Sequence, residues 1–478
     1  MMWHCALDNF KVSPLFGKGP NSFQLYYPFC QGKLLAQNSA LDKIQMQANA
    51  AHNEYLEILS EGGIIALLAY FILWGLFFTA VFKRFSNLKP AEKVFYLALL
   101  FALISVLIDN TLNITLRTLL VSFAFWFTFS ALNNLSAQTK KINFKLIPFV
   151  IIFVFACIIF CGVVSVQAKQ FLAQKHELLG YKYLVKSDYK NAANEMEKAV
   201  NKSNFRPEPF YTLINLNIDK NDFDQAIKLA DKAQDLYPAY YEIYSRLAAL
   251  HNAQNKKELA LNDLRKTLDL LPNYTPAAEL YGYILSQQED ATDEDIMNLL
   301  ELSINLPFQV NLTSYLAEIY FKRNDCSQAS YYAITTLQKN MFDKTSLNIL
   351  LACPKTKSEE LFSQDVQMLN ELKERVKNKE DVKILWDLET LLQSNPQDFW
   401  LNNLLAEYYF RQGDFCRAAE ILRPVKPEGY LNKSFNFALA NTTEKCGNKQ
   451  EVKQLFEEVL SADSYDEFAK NGLKNVKI

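Results

Sequence analysis

Residues 51–77, AHNEYLEILSEGGIIALLAYFILWGLF, pass without a break from a polar segment into a long apolar one. His52, Asn53, Glu54, Glu57 and Glu61 occupy the polar part, and Gly62-Gly63 marks the join. Ionisable groups are costly at the edge of a bilayer and persist there where function requires them. The junction therefore points to chemistry at a lipid–water boundary.

The rest of the chain divides around it. Residues 62–167 are strongly apolar, whereas 168–478 are polar with apolar positions at helical spacing, so the expected fold is all-α: multi-pass transmembrane helices followed by an α-solenoid. A net charge of −2 gives no signal for nucleic acid. The eight cysteines show no CxxC pair, which argues against a structural zinc site. Cys157 and Cys161 lie in an apolar run and read as small hydrophobes. The other six are expected to face an oxidising space, with pairing not readable from spacing.

Four apolar segments stand out, about Gly63–Phe82, Val94–Ile108, Leu116–Leu132 and Leu146–Val166. A spanning helix needs ~20 apolar residues. The first and fourth meet that length; the second and third read as a hairpin around Asp109-Asn110-Thr111. Lys83, Arg84, Lys89 and Lys93 follow the first span, and Lys140, Lys141 and Lys145 follow the third, whereas the hairpin turn offers only Arg117. Positive loops stay cytoplasmic, so residues 1–61 and 168–478 are expected on the outer side. A salt bridge between Asp109 and Arg117 is expected to close the hairpin. Residues 1–20 lack the apolar core of a signal peptide. The expectation is that further helices precede Met1 and that the chain is truncated and inactive alone.

After Val166 a period of 34 emerges. Ala226 and Pro238 recur as Ala260 and Pro272; Gly282, Pro307, Ala317, Tyr320, Ala329 and Ala333 continue the series, as do Ala406, Tyr409, Ala418 and Leu422. Ala192 with Ala199 opens it and Ala440 with Phe456 closes it. This pattern resembles the tetratricopeptide repeat, with about seven units and residues 350–388 degenerate. Small residues recur where paired helices approach closely, and the array is expected to bind envelope proteins. Tyr240, Tyr241 and Tyr244 are expected to fill the core between repeats.

The N-terminal third carries a second resemblance. Trp3, Ala6-Leu7, the run from Pro14 to Phe23, Tyr27-Pro28, Ala51–Leu56 and Glu61–Ile64, with Asp109 and Leu112 later, form an ordered set over roughly residues 1–133. It resembles the O-antigen ligase and polymerase family of membrane glycosyltransferases, whose large outer-face loop ends in a His-Asn motif before a late transmembrane helix. The resemblance implies metal-independent, inverting transfer of a glycan, without a cofactor, from an undecaprenyl-diphosphate carrier to a lipid, polysaccharide or protein acceptor. It also implies a multi-pass protein of the bacterial inner membrane with its repeat domain in the periplasm. The domains would be an outer-face loop over 1–61, four transmembrane helices over 62–167 and the repeats over 168–478. The alternative is a non-catalytic, membrane-anchored repeat scaffold.

Such transfer needs a base at the acceptor hydroxyl and cations at the leaving phosphate. His52 suits the first role, unless it merely packs at a helix start with Asn53 as N-cap. Asn53 and Glu54 are candidate substrate contacts. Gly17-Lys18-Gly19 could cradle a phosphate, with Lys18 as a weak contact, but Pro20 favours a tight turn.

Overall fold

A computed structural model describes residues 1–478 except 38–47, 49, 86–87, 137–145, 204–205, 354–355, 379–382, 426–430, 464–465 and 477–478. Lys140, Lys141 and Lys145, which support half of the orientation argument, lie outside the described residues. Among the described residues the regular structure is helical, with no β-strand. Contacts divide the chain into two units, Met1–Leu250 with Asp269–Leu271, and His251–Leu268 with Pro272–Ile478.

The first unit begins with α1 (Met2–Val12) and α2 (Phe23–Gln37), stapled by a Cys5–Cys30 disulfide. Cys5, Ala6, Phe23, Tyr27 and Ala51 form the buried core of this segment. Several residues of the ordered N-terminal set thus hold the loop together, although Trp3 and Leu7 stay exposed.

Three apolar helices follow: α3 (Glu54–Phe85), α4 (Pro90–Asp109) and α5 (Leu119–Ser136). Pro90 opens α4 with its φ already set for a helix, and Glu92 accepts from the Lys89 amide at 3.1 Å. Trp74, Phe77, Tyr96, Leu103 and Phe125 pack inward, with Phe77 and Phe129 stacked at 4.3 Å. Leu68, Ile72, Leu76, Phe95, Phe101 and Phe123 point outward. The group is thus apolar on both its inner and outer faces. Two helices are long and apolar enough to cross a membrane, Glu54–Lys83 and Phe153–Val185, and Leu120–Leu132 is a shorter apolar one.

The second of these belongs to α6 (Leu146–Val185), whose 40 residues run through position 167 without interruption. Phe153, Phe155, Ile158, Phe160 and Val164 are exposed, as are Cys157 and Cys161. The last turns pack on α7 (Tyr189–Lys202), where His176 meets Glu195 at 2.7 Å. Further helices are α8 (Glu208–Asp219), α9 (Phe223–Leu236) and α10 (Tyr241–Ala253). Ala192, Ala199, Ala226, Ala230 and Ala233 are all buried, so the small positions lie where paired helices touch. Tyr244 is buried, and Tyr240 packs against the α8–α9 core, as expected for fillers between repeats.

A recurring turn fixes the helix pairs. Ser187, Asn221 and Asn255 adopt left-handed φ at 34-residue intervals, as do Gly413 and Gly447. After Ser187 and Asn221, Asp188 and Asp222 cap the next helix through its third amide. Asp325, Asp414 and Asn448 repeat the device in the second unit. These pairs are of tetratricopeptide type.

The second unit continues with α11 (Lys257–Leu270), α12 (Thr275–Ser286), α13 (Asp293–Asn305), α14 (Val310–Lys322), α15 (Cys326–Lys339) and α16 (Lys344–Ala352). It ends with α17 (Lys357–Lys377), α18 (Lys383–Ser394), α19 (Phe399–Gln412), α20 (Phe415–Leu422), α21 (Leu431–Cys446), α22 (Lys449–Ala462) and α23 (Glu467–Asn475). The 21 residues of α17 exceed the length of its neighbours and account for the degenerate pattern over 350–388. Disulfides join Cys326 to Cys353 and Cys416 to Cys446. Asp463, after α22, accepts from Gln309 Nε2 at 2.9 Å and from the Thr275 hydroxyl at 3.3 Å. These bonds bridge 154 and 188 residues, although a linear array joins only neighbouring repeats.

Candidate functional site

The residues singled out at the polar–apolar junction converge at the start of α3. Asn53 caps this helix, its Oδ1 accepting from the Leu56 amide at 3.0 Å, while its Nδ2 donates to the Thr111 carbonyl at 2.9 Å. The Glu54 amide donates to the Asn110 carbonyl at 2.9 Å, and the Tyr55 hydroxyl donates to Leu107 O at 2.7 Å. The α4–α5 turn is thereby fastened to the first turn of α3.

Glu54, Glu57 and Glu61 share one face of this helix, as their spacing dictates. Arg117 meets all three. Its Nε lies 3.1 Å from Glu54, Nη1 2.8 Å from Glu57 and Nη2 3.5 Å from Glu61. The expected Asp109–Arg117 pair is therefore corrected: Asp109 accepts instead from Asn113 at 3.1 Å and from the Thr115 hydroxyl. Asn113 and Thr115 satisfy Asp109 locally, whereas three carboxylates offer the guanidinium more than one aspartate can. With its charge met by glutamates, Arg117 adds little positive charge to the hairpin turn.

The same carboxylates reach further. Glu57 Oε2 accepts from the Ala51 amide at 2.9 Å, and Glu61 Oε1 from the Phe23 amide at 3.3 Å. Glu57 is only 1% exposed.

His52 sits in the midst of this bonding and takes no part in it. Its neighbours Ala51 and Asn53 are buried, yet His52 is exposed, with φ at +50°. No side-chain hydrogen bond or ion pair engages its imidazole among the described residues. It is neither the helix cap nor a core residue.

Gly63 breaks α3 with φ +69° and ψ −171°. A Cβ there would lie 2.3 Å from the Leu15 carbonyl oxygen, so only glycine allows residues 14–19 to lie against the helix. Four backbone bonds fasten that loop, among them Ile64 N to Pro14 O and Gly19 N to Glu61 O, both 2.9 Å. Gly17 and Gly19 have positive φ, consistent with the tight turn. Lys18 turns inward, its Nζ 3.1 Å from Asn9 Oδ1 and 4.0 Å from the centre of the Tyr26 ring, and burial lowers its pKa. Of the four candidate residues, His52, Asn53 and Glu54 are brought together. Lys18 joins them only through the hydrogen bond that its backbone amide donates to Ser60 O. Sequence reasoning missed Arg117 as the partner of the glutamates. The helical spacing of the three carboxylates was the available signal. No group of three or more metal-binding side chains occurs among the described residues.

Comparison with known proteins adds two independent likenesses. Residues 1–71 match the family model described as O-antigen ligase. The small glutamine-rich tetratricopeptide repeat-containing protein 2 of Saccharomyces cerevisiae is 30% identical over 98 residues, which is 20% of this chain and 28% of that protein. Among solved structures, YrrB, a TPR protein with an unusual peptide-binding site, is 16% identical, with a TM-score of 0.33 over 36% of this chain and 89% of its own. A tetratricopeptide repeat protein from Parabacteroides merdae ATCC 43184 is 14% identical, with a TM-score of 0.25 over 64% of this chain and 98% of its own. The chain is thus similar to O-antigen ligases over residues 1–71 and to a tetratricopeptide repeat protein over 98 residues.

Proposed function

We propose that this chain takes part in glycan transfer from an undecaprenyl-diphosphate carrier to an acceptor at the outer face of a bacterial inner membrane, in the synthesis of envelope polysaccharide. The observation that carries this reading is the presentation of His52: an exposed imidazole between two buried residues, at the point where a polar helix start meets an apolar helix. The O-antigen ligase match over residues 1–71 includes it.

In this reading His52 takes the proton from the acceptor hydroxyl as that oxygen attacks the anomeric carbon. The bond from that carbon to the diphosphate oxygen breaks with inversion, and undecaprenyl diphosphate leaves with the electron pair. Lys18 leaves Asn9 and the Tyr26 ring to meet the diphosphate; Asn53 and Glu54, expected as substrate contacts, are buried in the fold and order the site from within. Helices α3 to α6 cross the bilayer, and both flanking segments, 1–61 and 168–478, face the outer space, where the repeats dock envelope proteins. The three disulfides support that topology, since they occur in both flanking segments while Cys157 and Cys161 stay unpaired in the apolar part of α6.

The test replaces the native gene with H52A. A general base contributes roughly 10²- to 10⁴-fold, so glycan transfer is expected to fall by that factor while membrane insertion is unchanged. Transfer at the native level would refute the reading and favour a non-catalytic scaffold.

A further inference from the structure

Residues on both sides of His52 are fastened, one by Glu57 six places on and the others by the distant α4–α5 turn. Ala51 is held by the hydrogen bond that its amide donates to Glu57 Oε2 at 2.9 Å, and the other oxygen of Glu57 is held by Arg117 at 2.8 Å. On the far side Asn53 is tied to Thr111 and Glu54 to Asn110, in the turn that leads to Arg117. Between them His52 occupies left-handed backbone. A residue with a Cβ gives up ~1–2 kcal/mol there and stays only where its surroundings impose it.

We propose that Arg117 and Glu57 are positioning residues that fix the outward pose of His52 through the Ala51 amide, an inference that rests on the glycan-transfer reading above. The relay runs in one direction. Without the guanidinium fork, Glu57 loses the partner fixed 2.8 Å from its Oε1, and the buried carboxylate either swings to water or turns toward whatever group replaces the arginine. Either change weakens its hold on Ala51, and the left-handed turn relaxes. His52 then samples several orientations, and a base displaced by ~1 Å can lose about 10²-fold in rate. Arg117 meets no reacting atom in this scheme. Its three carboxylate partners use all three of its nitrogens. Lysine keeps the charge but not the planar fork, so R117K removes the geometry selectively.

The experiment uses the full chain in lipid nanodiscs with isotope-labelled histidine. Four histidines give few signals, and H52Q assigns that of His52. His176 and His251, held by Glu195 and Asp263 at 2.7 and 2.9 Å, serve as internal controls for folding. In R117K and in E57A the His52 signal is expected to split or broaden while the controls stay in place. E57Q, which can still accept from Ala51, should restore a single signal. In transfer assays R117K should lower kcat at least tenfold, leave KM for the carrier within twofold and leave the pH profile in place. An unchanged His52 signal in both R117K and E57A, with the controls intact, overturns the proposal. So does a raised carrier KM with His52 undisturbed, which would make Arg117 a substrate ligand. Full transfer by H52A would defeat the glycan-transfer reading alone, because the spectroscopic arm judges the clamp without reference to activity.

Discussion

Substitution of Gly63 by alanine tests how the site is built. At φ +69° and ψ −171° the backbone is in a region essentially reserved for glycine, so an alanine there costs about 1–3 kcal/mol. Its Cβ would also lie 2.3 Å from Leu15 O and 2.6 Å from Phe16 N, both backbone atoms that move only if residues 14–19 lift away. Lifting that loop breaks its four backbone bonds, from Ile64 N to Pro14 O, Ile65 N to Leu15 O, Lys18 N to Ser60 O and Gly19 N to Glu61 O, at about 1 kcal/mol each. The sum is roughly 5–7 kcal/mol, a large share of the ~5–15 kcal/mol that a domain holds in total. Hydrogen exchange on the full chain in detergent reads this directly. The Gly19 and Ile64 amides of G63A should exchange about 10³- to 10⁵-fold faster than native. Two controls grade the effect. G19A meets nothing within 4 Å but keeps φ at +104°, and should cost about 1–2 kcal/mol. G75A meets neither obstacle inside a helix, and should be neutral or stabilising by ~0.5–1 kcal/mol. Equal exchange in G63A and G75A would refute the close packing of the loop on α3.

Two further outcomes concern the repeats. Asp295 is buried, yet Thr292, Tyr281 and Arg265 outweigh that burial and hold its carboxyl below the ordinary value. Its contribution is therefore present above the ordinary carboxylate range and lost as pH falls through the lowered value. D295A should lose roughly 1.5–3 kcal/mol at neutral pH, the scale of hydrogen bonds to a charged group, because the half-exposed Arg265 reaches water without it; D295N should flatten the acid limb of thermal stability, and an unaltered limb would count against the assignment. D463N should speed exchange at the N-terminal turns of α12 and α14, more than 150 residues away. Exchange confined to α22 and α23 would mean that the array is coupled only to its nearest neighbours.

What the sequence disclosed was whatever is decided locally. The Asn53 cap, the turn at Gly17–Gly19, the polar–apolar junction and the small repeat positions depend on residues within a few places of one another, and the structure has them. Arg117 was misassigned for the complementary reason. Asp109 is eight residues away, but the true partners lie 56–63 residues back along the chain, where no spacing rule reaches. The glutamates at 54, 57 and 61 shared a helical face and needed a cation, which the sequence could state without saying which one. The repeat turns were more legible than the reading made of them, since Asn221-Asp222, Asn324-Asp325 and Gly413-Asp414 each place a left-handed residue before a capping aspartate. The pairing of the cysteines, separated by 25, 27 and 30 residues, depended on which helices meet and so had no local sign.

Glycan transfer as proposed requires both flanking segments to lie in the oxidising space beside the carrier's head group. Alkylating membranes from intact cells without reduction, then mapping peptides by mass spectrometry, tests this in one measurement. Linked peptides are expected for Cys5–Cys30, Cys326–Cys353 and Cys416–Cys446, with alkylation limited to Cys157 and Cys161. Alkylated thiols at the six paired positions in unreduced membranes would contradict it.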